Sequence, residues 1–138
     1  MTERQQVHQA IVTEFRANGG RVGGQFADVP LLLLSTVGAK SGLPRTWPLT
    51  YLQHGGAYVV AAANGGRPVA PGWYHNLLAN PGATIEVGTE TIAVTARVAA
   101  EDERTALWAP FVAARPIIAD IQAASDRPIP LVILDPDR

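Results

Sequence analysis

Apolar stretches alternate with breaks marked by glycine or proline along this chain, and the spacing within each stretch predicts an element. Val7, Ile11 and Phe15 recur every four residues beside Glu14 and Arg16, the spacing of a short amphipathic helix. Asn18-Gly19-Gly20 should end it, because glycine takes the left-handed C-cap conformation without strain. Residues 30–37, apolar without a break over 30–34 and closed by Gly38, have the pattern of a strand buried on both faces. Residues 46–53 and 57–63 read as strands joined at His54-Gly55-Gly56, a hairpin-turn composition. Residues 83–87 and 91–98 make a second pair around Gly88, rich in the β-branched side chains that suit a pleated surface. Residues 131–134 give a short last strand, whose start Pro128 and Pro130 mark as an edge or a turn.

Three further helices are expected. Residues 71–79 begin with a proline in the first turn and end at Asn80-Pro81-Gly82. Residues 101–112 open with Glu101, Asp102 and Glu103, where the helix dipole favours negative charge, and Pro110 should bend or break them late. Residues 116–124 carry Ile117, Ile118 and Ile121 on one stripe. Consecutive strands joined by tight turns favour antiparallel pairing, and six strands in so small a chain favour closure into a barrel. The expected fold is mainly β (α+β), a single domain over residues 1–138 without internal repeats or linkers.

Composition narrows the function. The chain has 138 residues, 47% hydrophobic and 17% charged, which excludes a disordered polymer. Eleven Lys+Arg against 12 Asp+Glu argue against a broad basic surface for nucleic acid. With no cysteine there is no disulfide frame, thiolate metal site or cysteine nucleophile. The polar start and the lack of any ~20-residue apolar run fit a cytoplasmic soluble protein, with the Val7–Phe15 stripe docked on its own core or, alternatively, resting on a membrane surface or a lipid-like ligand.

Two segments could carry chemistry. Gly38-Ala39-Lys40-Ser41-Gly42-Leu43-Pro44-Arg45 holds the sole lysine, followed five residues on by arginine. A point charge, a guanidinium fork and glycines that expose backbone N–H groups suit an anion clamp; a solvated turn is the alternative. It is no Walker motif, since Leu34 and Ala39 stand where glycines would be required. In the second segment, Ala61-Ala62-Ala63-Asn64-Gly65-Gly66-Arg67 leads to Pro71-Gly72-Trp73-Tyr74-His75-Asn76. Small residues there would let a flat ring lie against backbone, and a helix start would offer free amides to an anion. Trp73 and Tyr74 could wall such a ring or pack in the core. His8, His54 and His75 lack metal-ligand spacing, and neither Ser35 nor Ser41 sits in a nucleophile elbow. Without catalytic machinery of its own, the chain would need a cofactor to carry chemistry.

These segments, GAKSGLPRTWPLTY, the AAANGG turn and PGWYHNLLANP, with EFRANGGRVGGQF and LLLLSTVG upstream and IEVGTETIAVTARV, RTALW and SDRPIPLVIL downstream, resemble the deazaflavin (coenzyme F420)-dependent nitroreductase family of actinobacteria. The resemblance is collinear over almost the whole chain. It implies a six-stranded antiparallel split β-barrel of the FMN-binding-like type with flanking helices, and coenzyme F420 as cofactor. It places the cofactor's phosphate and acidic tail at Lys40 and Arg45, beside Ala39 and Ser41. It lines the deazaflavin with Thr46, Trp47, Pro48, Leu49, Thr50 and Tyr51, with Ala61, Ala62, Ala63 and Asn64, and with Gly72, Trp73, Tyr74, His75 and Asn76. The implied reaction is hydride transfer from reduced F420 to an electron-poor acceptor such as a quinone, enone or nitro compound, with Tyr51 and Tyr74 as candidate proton donors.

The chain departs from the family pattern at three places. Ala63 replaces a serine, Ala39 replaces a basic residue, and Arg115, Ile118 and Ile121 stand where nitro-reducing relatives carry tyrosines over the acceptor. The resulting apolar substrate pocket favours a hydrophobic, quinone-like small-molecule acceptor. Split barrels of this kind also include non-catalytic lipid or fatty-acid binders and flavin mononucleotide enzymes, which stand as alternatives. Homodimer formation is open.

Overall fold

In the computed structural model, residues 3–27, 29–64 and 69–137 are described. The elements are α1 (Glu3–Ala17), β1 (Leu31–Val37), β2 (Pro44–Thr50), β3 (Leu52–His54), β4 (Ala57–Ala61), α2 (Gly72–Ala79), β5 (Gly82–Val87), β6 (Glu90–Val98), α3 (Glu101–Ala114), α4 (Ile117–Ala123) and β7 (Leu131–Pro136). The strands form one sheet in the order β2-β1-β5-β6-β7-β4-β3, every neighbouring pair antiparallel. Its two edge strands, β2 and β3, are separated in the chain by Tyr51 alone, so the sheet curls and its two edges converge at Tyr51 without pairing to each other. Residues 46–53, expected as one strand, bend at this point, and the sheet has seven strands where six were expected.

Strand alternation sorts the core into an interior and two outer layers. Leu32 and Leu34 of β1, Val60 of β4, and Val132 and Leu134 of β7 fill the barrel interior, where Trp73 and Leu77 of α2 join them. The intervening Leu31 and Leu33 face Val12 and Phe15 of α1. Val59, Leu131 and Ile133 face Leu107 and Phe111 of α3 and Ile118 of α4. Strands buried on both faces show no polar alternation, which is why residues 31–34 and 131–134 read as unbroken apolar runs.

The α1 stripe thus docks on the protein's own core through Val12 and Phe15, while Val7 is exposed. The helix ends as the glycines require: the Gly20 N–H reaches the Phe15 carbonyl at 2.8 Å, with Gly19 at φ +63° and Gly20 at φ +94°. Gly20 also lies against Gly88 in the β5–β6 turn, where an added Cβ would come within 2.6 Å of backbone. Arg16 grips Glu86 of β5 through two bonds of 3.0 and 2.8 Å. These contacts fix how α1 lies across the barrel.

Two expectations need correction. β7 is no edge strand; it lies between β6 and β4, and Pro128 and Pro130 precede its ladder without removing a donor from it. α3 runs unbroken through Pro110 to Ala114. Leu107 and Phe111 are buried against the sheet, while Ala106 and Pro110 are exposed, so the carbonyl deprived of its helical partner faces water.

Candidate active site

A cleft of about 450 Å³ opens beside β2. From β2 it takes Arg45, Trp47, Pro48, Leu49 and Thr50. Successive strand residues point to opposite faces, so a run of neighbours can line one cleft only where it follows the strand's free edge. β2 pairs with β1 alone, which leaves that edge open and explains how Pro44 and Pro48 are accommodated. Ala61, Ala63 and Asn64 form the wall at the end of β4, and Pro71, Gly72 and Trp73 bring the first turn of α2. Phe111 of α3 and Arg115 just after it, with Ile117, Ile118 and Ile121 of α4, close the far side.

The electrostatics favour an anion. Arg45 and Arg115 both line the cleft, and no carboxylate does among the described residues. Pro71 caps α2 without a side-chain hydrogen bond, and since the Tyr74 N–H bonds the Pro71 carbonyl at 3.1 Å, the Gly72 and Trp73 amides are the ones left at the cleft wall. Lys40 lies in the exposed turn between β1 and β2, outside the cleft lining.

That turn is held from below. The Asn76 side chain of α2 accepts the Ala39 N–H through Oδ1 at 3.0 Å and donates through Nδ2 to Thr36 Oγ1 at 3.0 Å. Both Asn76 and Thr36 are buried. Within the turn, the Gly38 N–H bonds the Leu43 carbonyl, and Ser41 Oγ accepts the Leu43 N–H at 3.2 Å. Asn76 and Ser41, expected at the cofactor, therefore shape the segment that presents Ala39, Lys40 and Arg45. The Thr46 hydroxyl is engaged with Ser35 at 2.8 Å.

Other expected residues lie away from the cleft. Tyr51 sits at the bend between β2 and β3, edge-on to Tyr58 with ring centroids 5.5 Å apart. Burial, then the neighbouring Tyr58, pushes its phenol above the ordinary value. Tyr74 packs against the barrel core and stands edge-on to both Trp73 and His75. Ala62 is buried inside the barrel and His75 is exposed. None of Tyr51, Tyr74, Ala62 and His75 lines the cleft. Gly65, Gly66 and Arg67 lie outside the described residues.

Several lining residues were missed. Gln5 and His8 of α1 face the cleft and a neighbouring groove of about 410 Å³ between α1 and β2. They lie on the face that continues to Val12 and Phe15, so the signal was a docking stripe turning polar toward its N-terminus. Arg127 was also unnoticed; it donates to the Ala62 and Ala63 carbonyls at 3.1 and 3.2 Å and so braces the wall after β4.

The profile of the F420H(2)-dependent quinone reductase family matches residues 7–136. The chain belongs to this family. An F420H(2)-dependent quinone reductase of Mycobacterium tuberculosis is 40% identical over 93% of this chain and 87% of its own. A solved F420-H2 dependent reductase (FDR-A) is 38% identical, with a TM-score of 0.71 over 77% of this chain and 94% of that one. A second solved structure, a domain-swapped dimer, is 34% identical with a TM-score of 0.73 over 96% of each chain. The expected kinship and split-barrel fold are borne out, and the protein is an oxidoreductase whose cofactor is coenzyme F420 and whose acceptor is a quinone. Among the described residues no helix is long and apolar enough to cross a membrane.

Proposed function

We propose that the cleft along the free edge of β2 binds reduced coenzyme F420 and a quinone side by side. The observation that carries this reading is the continuous lining from one exposed backbone edge, with a cation at its start and an apolar wall opposite. The cofactor fits these residues: Ala61, Ala63 and Gly72 leave room for a flat ring, Trp47 and Trp73 offer aromatic walls, and Arg45 with the first α2 amides suits the anionic phosphate and tail. When bound, the reduced deazaflavin supplies a hydride.

The remaining work falls to this chain's own groups. Arg45 fixes the charged end and so sets how far the ring enters, while Lys40 adds a screened charge at the rim. Phe111, Ile117, Ile118 and Ile121 hold an apolar acceptor and keep water from its reacting face. The same apolar wall, lacking tyrosine hydroxyls, supports a quinone over a nitro compound as acceptor. A homodimer is part of the proposal, supported by the 34%-identical relative solved as a domain-swapped dimer.

The test is anaerobic oxidation of reduced F420 by a short-chain naphthoquinone, followed by the return of cofactor fluorescence, beside a flavin mononucleotide control. Protein-dependent turnover with F420 alone supports the reading. Absence of turnover, together with no saturable binding of oxidised F420, overturns it.

A further inference from the structure

Arg115 occupies an unusual place. It follows α3 directly, its N–H bonded to the Phe111 carbonyl at 2.8 Å, and its guanidinium carbon lies 5.9 Å from the centre of the Phe26 ring. Its cleft neighbours on this side are Phe26, Phe111, Ile117 and Ile118, all apolar. Its side chain has neither an ion pair nor a hydrogen-bond acceptor among the described residues, whereas Arg16 and Arg97 are matched by carboxylates and Arg104 and Arg127 by carbonyl oxygens. A partly buried cation in an apolar wall, without an acidic partner, is an incomplete pair whose missing half is an anion.

The chemistry of the cleft supplies that anion. A quinone that takes up a hydride gains two electrons and one proton and becomes a hydroquinone monoanion. The donor, oxidised by two electrons, releases its remaining exchangeable proton to solvent, and a proton from water completes the hydroquinone. Negative charge thus appears on a quinone oxygen at the moment of transfer and is absent before it. A donor that meets this charge stabilises the transition state more than the bound substrate.

We infer that Arg115 is a catalytic residue that binds the developing quinol oxyanion, and that the same guanidinium binds quinones already bearing an ionised oxygen, such as hydroxynaphthoquinones, more tightly than neutral ones. Arg45 serves the cofactor's charged end from β2, so the two cations divide the cleft. This inference rests on the cleft being the cofactor and quinone site.

The experiment uses 2-hydroxy-1,4-naphthoquinone, ionised at neutral pH, and neutral 2-methyl-1,4-naphthoquinone. Binding of each is measured by titration calorimetry, without cofactor, to the unaltered protein and to Arg115→Met and Arg115→Lys, each checked for an unchanged circular dichroism spectrum. The expected result is that Arg115→Met weakens the anion about tenfold or more while the neutral quinone stays within about twofold, and that Arg115→Lys falls between. Equal affinity of all three proteins for the anion, parallel loss of both quinones, or no binding of either quinone to the unaltered protein overturns the inference. A parallel titration with oxidised F420 separates the two levels: its failure removes the cofactor reading, while the charge discrimination is still read from the quinones.

Discussion

Replacing Asn76 with alanine removes the strut beneath the turn between β1 and β2. Two hydrogen bonds are lost, one to the Ala39 N–H and one to Thr36 Oγ1, each 3.0 Å long. Asn76 is 9% exposed and Thr36 2%, so water cannot readily reach the Thr36 hydroxyl, whereas Ala39 is exposed and its N–H is open to solvent. Each net bond contributes about 1 kcal/mol, and a stranded buried hydroxyl adds a penalty of about 1 kcal/mol or more. The expected loss is therefore about 2–4 kcal/mol, a fall in Tm of roughly 8–15 °C for a chain of this size. Thr36→Val is the informative companion, because it keeps the bond that holds Ala39 while removing the other. Thermal unfolding and F420 titration of both variants separate packing from positioning. Asn76→Ala should weaken the cofactor several-fold in protein that is still folded, whereas Thr36→Val should leave affinity within about twofold. A Tm for Asn76→Ala within about 1 °C of the parent, or equal loss of cofactor affinity in both variants, would refute the strut.

Two further predictions concern what holds α1 and α3 to the barrel. Gly20→Ala combines a left-handed backbone position at φ +94° with a Cβ pressed on Gly88 backbone. It should cost about 2–4 kcal/mol in urea unfolding, and an unchanged midpoint would show that α1 is not anchored there. Glu103 accepts Arg97 and the Ala100 N–H, and these bonds hold its carboxyl below the ordinary glutamate value. Because the folded value is depressed, the stabilisation is complete above the unfolded pKa of about 4.3 and disappears as pH falls through the lower folded value. Glu103→Gln should thus be less stable than the parent at neutral pH and converge with it in acid; a gap that persists to the lowest pH would contradict the assignment.

Much of the fold was legible because the local signals agreed with one another. Gly19-Gly20, Gly55-Gly56 and Gly88 all adopt positive φ at the turns their sequence implied. The bend at Tyr51 was not legible, since the pattern of residues 46–53 continues through it and closure is a property of the whole sheet. Pro110 misled because tertiary burial of Leu107 and Phe111 outweighs a local helix defect. At the cleft, motif resemblance marked segments that surround it but could not separate groups that line it from those that brace it. Asn76 illustrates this: a polar residue between Trp73 and Leu77 on the buried face of α2 is where a strut would stand. Gln5 and His8 escaped notice because nothing local shows that α1 passes over the cleft.

The central claim, that the β2 edge binds coenzyme F420 through Arg45, is tested most directly by fluorescence titration of oxidised F420 into the parent, Arg45→Ala and Lys40→Ala. Arg45 lines the cleft, and a charge-assisted bond from it to the cofactor's anionic end would contribute about 1.5–3 kcal/mol, so its loss should weaken binding roughly tenfold to a hundredfold. Lys40 stands exposed at the rim, and its loss should cost no more than about fivefold. Equal affinity in the parent and Arg45→Ala, or no binding to the parent at all, would contradict the account.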